Sequence, residues 1–203
     1  LRANAGNLSI DEIKQACEYA HKLNKKVYVT ANIVFHDEDL DGISEYLIEL
    51  KNAKVDAVII SDPGVLPIIK KVIPDMEIHI STQQNCLNYE ACNFFYDEGV
   101  KRVVLGREMS KTDLESILKN TKVDIEVFIQ GAMCVSYSGR CVLSNYFTNR
   151  DSNRGGCSQI CRWNFSLYDE FKKKICNDDD FAMTVKDLSM IGYINELIDM
   201  GVK

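Results

Sequence analysis

The chain has 203 residues, 46% hydrophobic and 27% charged, with a net charge of −6. That is an ordinary globular composition with room for one sizeable core, and three prolines without any low-complexity run exclude a long disordered linker. No apolar run approaches the ~20 residues of a membrane-spanning helix and no secretory signal opens the chain, so a cytoplasmic setting with reduced thiols and no membrane partner is expected.

In chain order, the opening "LRANAGNLSIDE" is already domain-like and lacks an initiator Met. A helix is predicted over 9–23, started by Ser9 with Glu12 three residues on, the pattern of a capping box. Strands are predicted at 26–34 ("KVYVTANIV"), 56–62 ("DAVIISD"), 77–83 ("EIHISTQ"), 102–108 ("RVVLGRE") and 124–131 ("DIEVFIQG"). Helices fill the gaps at 39–52, 64–73, 88–98 and 111–119, the last capped by Ser110 with Asp113. Beyond a long interruption come a strand at 181–187 ("FAMTVKD") and a helix at 188–200. The closing "IDMGVK" stops where another strand is due, so the chain reads as a piece of a larger protein.

Continuous apolar strands separated by helices indicate an α/β fold with a parallel sheet covered on both faces. Barrel and doubly wound sheet both fit this rhythm. No Gly-rich phosphate loop follows any strand, which favours a TIM-like (β/α) barrel over a dinucleotide-binding sheet. The expectation is one barrel domain over 1–203 lacking its first strands, with a Cys/Arg-rich insertion over 131–180. Barrel chemistry sits where strands end. Those positions are Asn32, Asp62, Ser81-Thr82-Gln83, Arg107-Glu108, Gln130 and Lys186-Asp187. They read equally as helix caps and rim ion pairs.

The insertion breaks from the rest in chemistry. Between 127 and 168 lie Arg140, Arg150, Arg154 and Arg162, no lysine and one acid, Asp151; that is +3, leaving −9 elsewhere. Arginine forks suit phosphate, and the interleaved Tyr137, Tyr146, Phe147, Trp163 and Phe165 suit stacked bases, so RNA is a candidate partner. A packed loop whose arginines bond carbonyls and acids is the alternative.

Cys134, Cys141, Cys157 and Cys161 space as C-x6-C-x15-C-x3-C, with Cys176 beyond. This is neither a zinc ribbon nor the usual ferredoxin spacing. An iron–sulfur cluster, a structural zinc and a free-thiol cluster all remain open on spacing alone. Cys17, Cys86 and Cys92, in or beside helical patterns, read as small buried hydrophobes. The three histidines are scattered at 21, 36 and 79, and no protease or metal-hydrolase motif is present.

The block "EVFIQGAMCVSYSGRCVLSNYFTNRDSNRGGCSQICRW" resembles the diagnostic segment of the peptidase U32 family, with its E-x-F-x-x-G-A-x-C opening and C-x3-C-R-W close. "LRANAGN", "KVYVTANI", "IHISTQ", "RVVLGRE" and "KDLSMIGYINELIDMGV" resemble the same family in order. The resemblance implies either a collagenase-like peptidase or an oxygen-independent hydroxylase carrying a [4Fe–4S] cluster. The hydroxylase branch acts on RNA pyrimidines, including the tRNA wobble uridine with prephenate as hydroxyl source, or on a quinone precursor.

Carried onto this sequence, the resemblance makes Cys134, Cys141 and Cys157 cluster ligands. The family's fourth cysteine falls at Ser189, which leaves Cys161 or Cys176 as replacements or one iron open, with zinc as an alternative metal. Gln130 stands where many relatives have histidine. The implied hydroxylase uses Asn32, His79, Gln83, Glu108 and Lys186 to orient reacting groups. Its Arg140, Arg150, Arg154 and Arg162 engage RNA phosphates or an anionic co-substrate. A peptidase is the rival, and a non-catalytic, metal-stabilised barrel subunit is the third reading.

Overall fold

The structure is a computed structural model and describes residues 6–138, 140–175 and 181–203. Cys176 therefore lies outside the described residues. Helix α1 (Ile10–Lys22) starts at Ser9, whose side chain accepts the Glu12 N–H while the Glu12 carboxylate accepts the Ser9 N–H. The strands that follow are β1 (Tyr28–Ala31), β2 (Ala57–Ile60), β3 (Glu77–Ile80), β4 (Arg102–Val104) and β5 (Asp124–Glu126). All neighbouring pairs are parallel and the order is β1-β2-β3-β4-β5.

The intervening helices are α2 (Asp37–Leu40), α3 (Ile43–Asn52), α4 (Val65–Val72), α5 (Tyr89–Asp97) and α6 (Lys111–Asn120). The single helix expected over 39–52 is broken at Asp41-Gly42. Gly42 takes φ +79°, a left-handed turn that a side chain resists, and this splits α2 from α3. Asn88 caps α5 and the Ser110–Asp113 pair caps α6, so the start signals read in sequence act locally.

Side chains alternate across each strand, and that alternation divides the molecule. Val58, Ile60, Ile78, Ile80, Val103 and Ile125 face outward into one buried cluster with Leu47, Leu50, Ile69, Phe95, Leu114 and Ile117 of the helices. The other face carries Tyr28, Thr30, Glu77, His79, Arg102 and Glu126, with Ala57, Ile59 and Val104 as its aliphatic members. One side of the sheet is thus a hydrocarbon core and the other a largely polar face.

The expected α/β fold with a parallel sheet is present, without closure into a barrel among the described residues. Among the described residues the sheet is five-stranded and open, with β1 and β5 at its two edges rather than paired. The Lys203 N–H donates to the Ile125 carbonyl at 2.9 Å, on the outer edge of β5. The strand expected at 181–187 is not formed. Instead β6 (Gln130–Gly131) pairs antiparallel with β7 (Leu188–Ser189), and the helix expected over 188–200 contracts to α8 (Ile194–Asp199). Between β6 and β7 the described residues include α7 (Leu143–Thr148) and two short 3-10 turns, Ser152–Arg154 and Ile160–Arg162. Among the described residues no helix is long and apolar enough to cross a membrane.

Candidate active site

Strands end earlier than the apolar runs suggest, and the residues just past their ends turn over the polar face. A cavity of about 460 Å³ opens there, within the size range of small-molecule sites. Thr30, Asn32, Ile59, Ser81 and Gln83 line one side, and Val104, Arg107, Glu126 and Phe128 another. Ala132, Cys134, Ser138, Cys141, Ser152, Asn153 and Cys157 of the inserted segment cover it. The strand-end prediction therefore meets the insertion at a single place.

The thiols are held in a repeated way. The Sγ of Cys141 accepts the Leu143 N–H at 3.4 Å, and the Sγ of Cys157 accepts the Gln159 N–H at 3.4 Å. The Ser136 N–H acts on Cys134 in the same sense. Each of the three thus has the backbone N–H of the residue two places on beside its sulfur, the kind of contact that tunes a bound cluster. Burial pushes the Cys134 thiol above its usual range. The Ser136 N–H draws it back, and the neighbouring thiols of Cys141, Cys161 and Cys157 raise it again. Cys161 is thus within electrostatic reach of the set although it does not line the cavity. Cys86 and Cys92 behave differently, since burial pushes their thiols up to about 12 and about 11. They are core hydrophobes.

Among the described residues, no three His, Cys, Asp or Glu side chains converge as one metal ion requires. A single zinc draws four ligands to one point at ~2.3 Å, whereas a multi-iron cluster takes one thiolate per iron and spans a wider set. The donor set, three thiols around one cavity with a fourth nearby, suits the cluster better than zinc. Ser189 sits opposite Gln130 in the β6–β7 pair and does not line the cavity.

The segment is tied down by polar bonds. The Cys141 carbonyl accepts from Ser152 Oγ at 2.5 Å and Asn153 Nδ2 at 3.2 Å. The buried Ser144 hydroxyl accepts the Ser158 N–H at 3.0 Å. Gly156 packs so closely that a Cβ there would lie 2.6 Å from the Asp151 carbonyl oxygen.

Of the residues expected to orient reacting groups, Asn32 and Gln83 do reach the cavity. Asn32 donates to Ser81 Oγ at 3.0 Å, while its Oδ1, the Gln83 Oε1 and the Asn153 Oδ1 are buried without a partner. Three others are placed elsewhere. His79 is fully buried, bonded to Glu77 at 2.8 Å and edge-on to the Tyr28 ring at 4.8 Å; it does not line the cavity as a group orienting reactants would, because β3 turns it into the layer below. Burial lowers its pKa, against the pull of Glu77. Glu108 accepts the Ser138 N–H at 3.0 Å and so clamps the loop after Cys134. Lys186 is exposed and does not line the cavity.

The four arginines also divide. Arg154 grips Asp39 with both Nη atoms, one at 2.7 Å to Oδ1, and donates to the Val34 carbonyl at 3.2 Å. Arg162 donates to Val185 O, Met133 O and Asp187, the last at 2.6 Å. These two are corrected to structural ties: their acids lie in other parts of the chain, and a paired fork has no edge left for phosphate. Arg140 and Arg150 are exposed. Sequence reasoning missed Phe128 and Asn153. Phe128 carries the inward alternation of Glu126 one step further, a signal that was present. Asn153 lies in aperiodic loop sequence, where no signal exists.

The chain matches the sequence model described as peptidase family U32 over residues 1–203. It is 45% identical to a tRNA hydroxylation protein of Bacillus subtilis, across 100% of this chain and 49% of that protein. It is 36% identical to a 23S rRNA 5-hydroxycytidine synthase of Escherichia coli, over 100% of this chain and 30% of that one. A Methanocaldococcus jannaschii protein described as an uncharacterized protease is 38% identical, over 98% of this chain and 50% of its own length. The chain spans about half or less of these relatives. A solved U32 peptidase superimposes with a TM-score of 0.56 at 12% identity, covering 91% of this chain and 76% of that one, a likeness of fold. The chain belongs to peptidase family U32.

Proposed function

We propose that the protein containing this chain hydroxylates a pyrimidine base of RNA, and that the thiol-lined cavity is where the base is received. The observation that carries the reading is the meeting of two sets in one cavity. Three thiols line it, two of them accepting a backbone N–H, and three carboxamides, of Asn32, Gln83 and Asn153, have buried oxygens without partners among the described residues. Amides of this kind read the donor–acceptor edge of a base taken out of its stack. The relatives described as acting in tRNA and rRNA hydroxylation support the same substrate class.

Cys134, Cys141 and Cys157 would hold a [4Fe–4S] cluster, with Cys161 as the fourth thiol within reach. Bound there, the cluster would supply one-electron chemistry that the side chains lack. Asn32 is fixed by Ser81, so its free oxygen is presented in a set direction. Glu126 borders the cavity and is held by Arg102 at 3.1 Å, which keeps a carboxylate at its floor. The exposed Arg140 and Arg150 would steady RNA phosphates, and an anionic acid such as prephenate would serve as hydroxyl source.

A peptidase finds less support. His21 is bonded to Asp56 and His79 to Glu77, His36 caps α2, and among the described residues no hydrogen bond joins a histidine to a serine or cysteine side chain. The test compares hydroxylated uridine and cytidine in tRNA and rRNA from cells with and without the gene. Loss of one hydroxylated nucleoside, restored by the wild-type gene, is the expected result; unchanged nucleosides would sink the proposal.

A further inference from the structure

We infer that the Arg107 guanidinium, held over the Phe128 ring, is the cavity's receptor for an oxyanion, a carboxylate or phosphate group carried by a bound substrate. Both residues line the thiol cavity, and the guanidinium carbon lies 3.8 Å from the ring centroid. A cation–π contact of this kind steadies the guanidinium while its N–H groups stay available for bonding an oxyanion.

The other arginines show by contrast why Arg107 stands out. Arg102 pairs with Glu126, Arg154 with Asp39 and Arg162 with Asp187, while Arg140 and Arg150 are exposed to solvent. Arg107 is half-buried, yet no carboxylate pairs with it among the described residues, and its Nε is buried without a partner. The adjacent Glu108 raises the Arg107 pKa through its charge but forms no ion pair with it: its Oε1 is turned to the Ser138 N–H, and its Oε2 is buried without a partner among the described residues. A half-buried cation without a counter-ion is costly to keep, and an incoming anion would relieve that cost. Burial accordingly lowers the Arg107 pKa against the opposing pull of Glu108 and Cys134. The amides of Asn32, Gln83 and Asn153 offer unpaired oxygens, so the cavity holds acceptors on one side and one unspent cation on the other.

The assignment deepens the proposed function by naming what the same cavity grips, but it concerns binding and needs no turnover. Calorimetric titration of the full-length protein under anaerobic conditions, with malonate, inorganic phosphate, uridine and uridine monophosphate, tests it directly. Wild type is expected to bind at least one oxyanion, and Arg107→Met to weaken that binding tenfold or more. Arg107→Lys, which keeps charge but loses the fork, should fall between, and Phe128→Leu should weaken binding several-fold. Lys119→Met, at the exposed end of α6, should change nothing. Preference for malonate assigns the anion to a small acid, and gain from uridine to uridine monophosphate assigns it to RNA. Either preference supports the receptor. Melting curves show whether Arg107→Met folds; where it does not, Arg107→Lys and Phe128→Leu carry the test. Absence of oxyanion binding by wild type, or equal binding by all the variants, overturns the assignment. Arg107-dependent binding alongside unchanged nucleosides in cells would instead remove the hydroxylation reading alone.

Discussion

Two regions of this chain are held together by different physics. The sheet and its helices, up to Glu126, bury a continuous hydrocarbon cluster on one face and need little specific bonding. The segment from Gln130 to Ser189 has a single large buried aliphatic, Ile160, among its described residues, and relies on named polar bonds such as Ser144 to Ser158 and Arg154 to Asp39. The first region would hold its shape with many similar hydrophobic sequences. The second holds its shape through individual atoms, and the thiols belong to it. The difference teaches that site and scaffold can be broken separately.

The largest effect is expected in the scaffold. Leu47→Ala removes a fully buried side chain from the cluster and should cost about 2–5 kcal/mol, read from the urea midpoint. Gly156→Ala aims at the segment instead. The added methyl would stand 2.6 Å from a backbone oxygen, so the loop carrying Cys157 must move. A local cost of about 1–3 kcal/mol is expected, with iron content of anaerobically purified protein falling several-fold while the scaffold transition stays in place. A concerted collapse of both regions would erase the distinction drawn between them.

Arg154→Met tests the tie between them. It leaves Asp39 with half its partners and should cost about 1–3 kcal/mol, seen as faster amide exchange at Val34, whose N–H is bonded to the Asn153 carbonyl. The smallest effect concerns pH. His79 is held neutral by burial, so the unfolded chain binds the proton more readily than the native one. Stability is then fully present above the ordinary histidine value of ~6.5 and declines as pH falls below it. His79→Gln should flatten that part of the profile without altering iron content.

Much of the scaffold was legible. The five strand starts follow from short apolar, β-branched runs, and caps at Ser9 and Ser110 follow from local hydrogen bonding that needs no tertiary contact. Strand ends were less so, because Asn32, Ser81 and Arg107 continue the apolar run in sequence but leave the ladder to line the cavity. "FAMTVKD" alternates like a strand, yet only Leu188 and Ser189 beyond it find a partner, so pairing overrode pattern. In the site, thiols and strand-end amides could be named from their chemistry. The fates of the arginines could not: Arg154 and Arg107 look alike in sequence, and only Asp39, 115 residues away, spends one and leaves the other free. Long-range pairing of that kind has no local signal.

The central claim is that Cys134, Cys141 and Cys157 serve one cluster on which RNA hydroxylation depends. The direct measurement pairs iron content with hydroxylated-nucleoside levels in a gene-deleted strain complemented by wild type, Cys134→Ser, Cys157→Ser or the core Cys92→Ser. Iron and the hydroxylated nucleoside should vanish together for the two cavity variants and persist for Cys92→Ser in whatever fraction folds. Full hydroxylation by a Cys134→Ser protein that carries no iron would contradict the account.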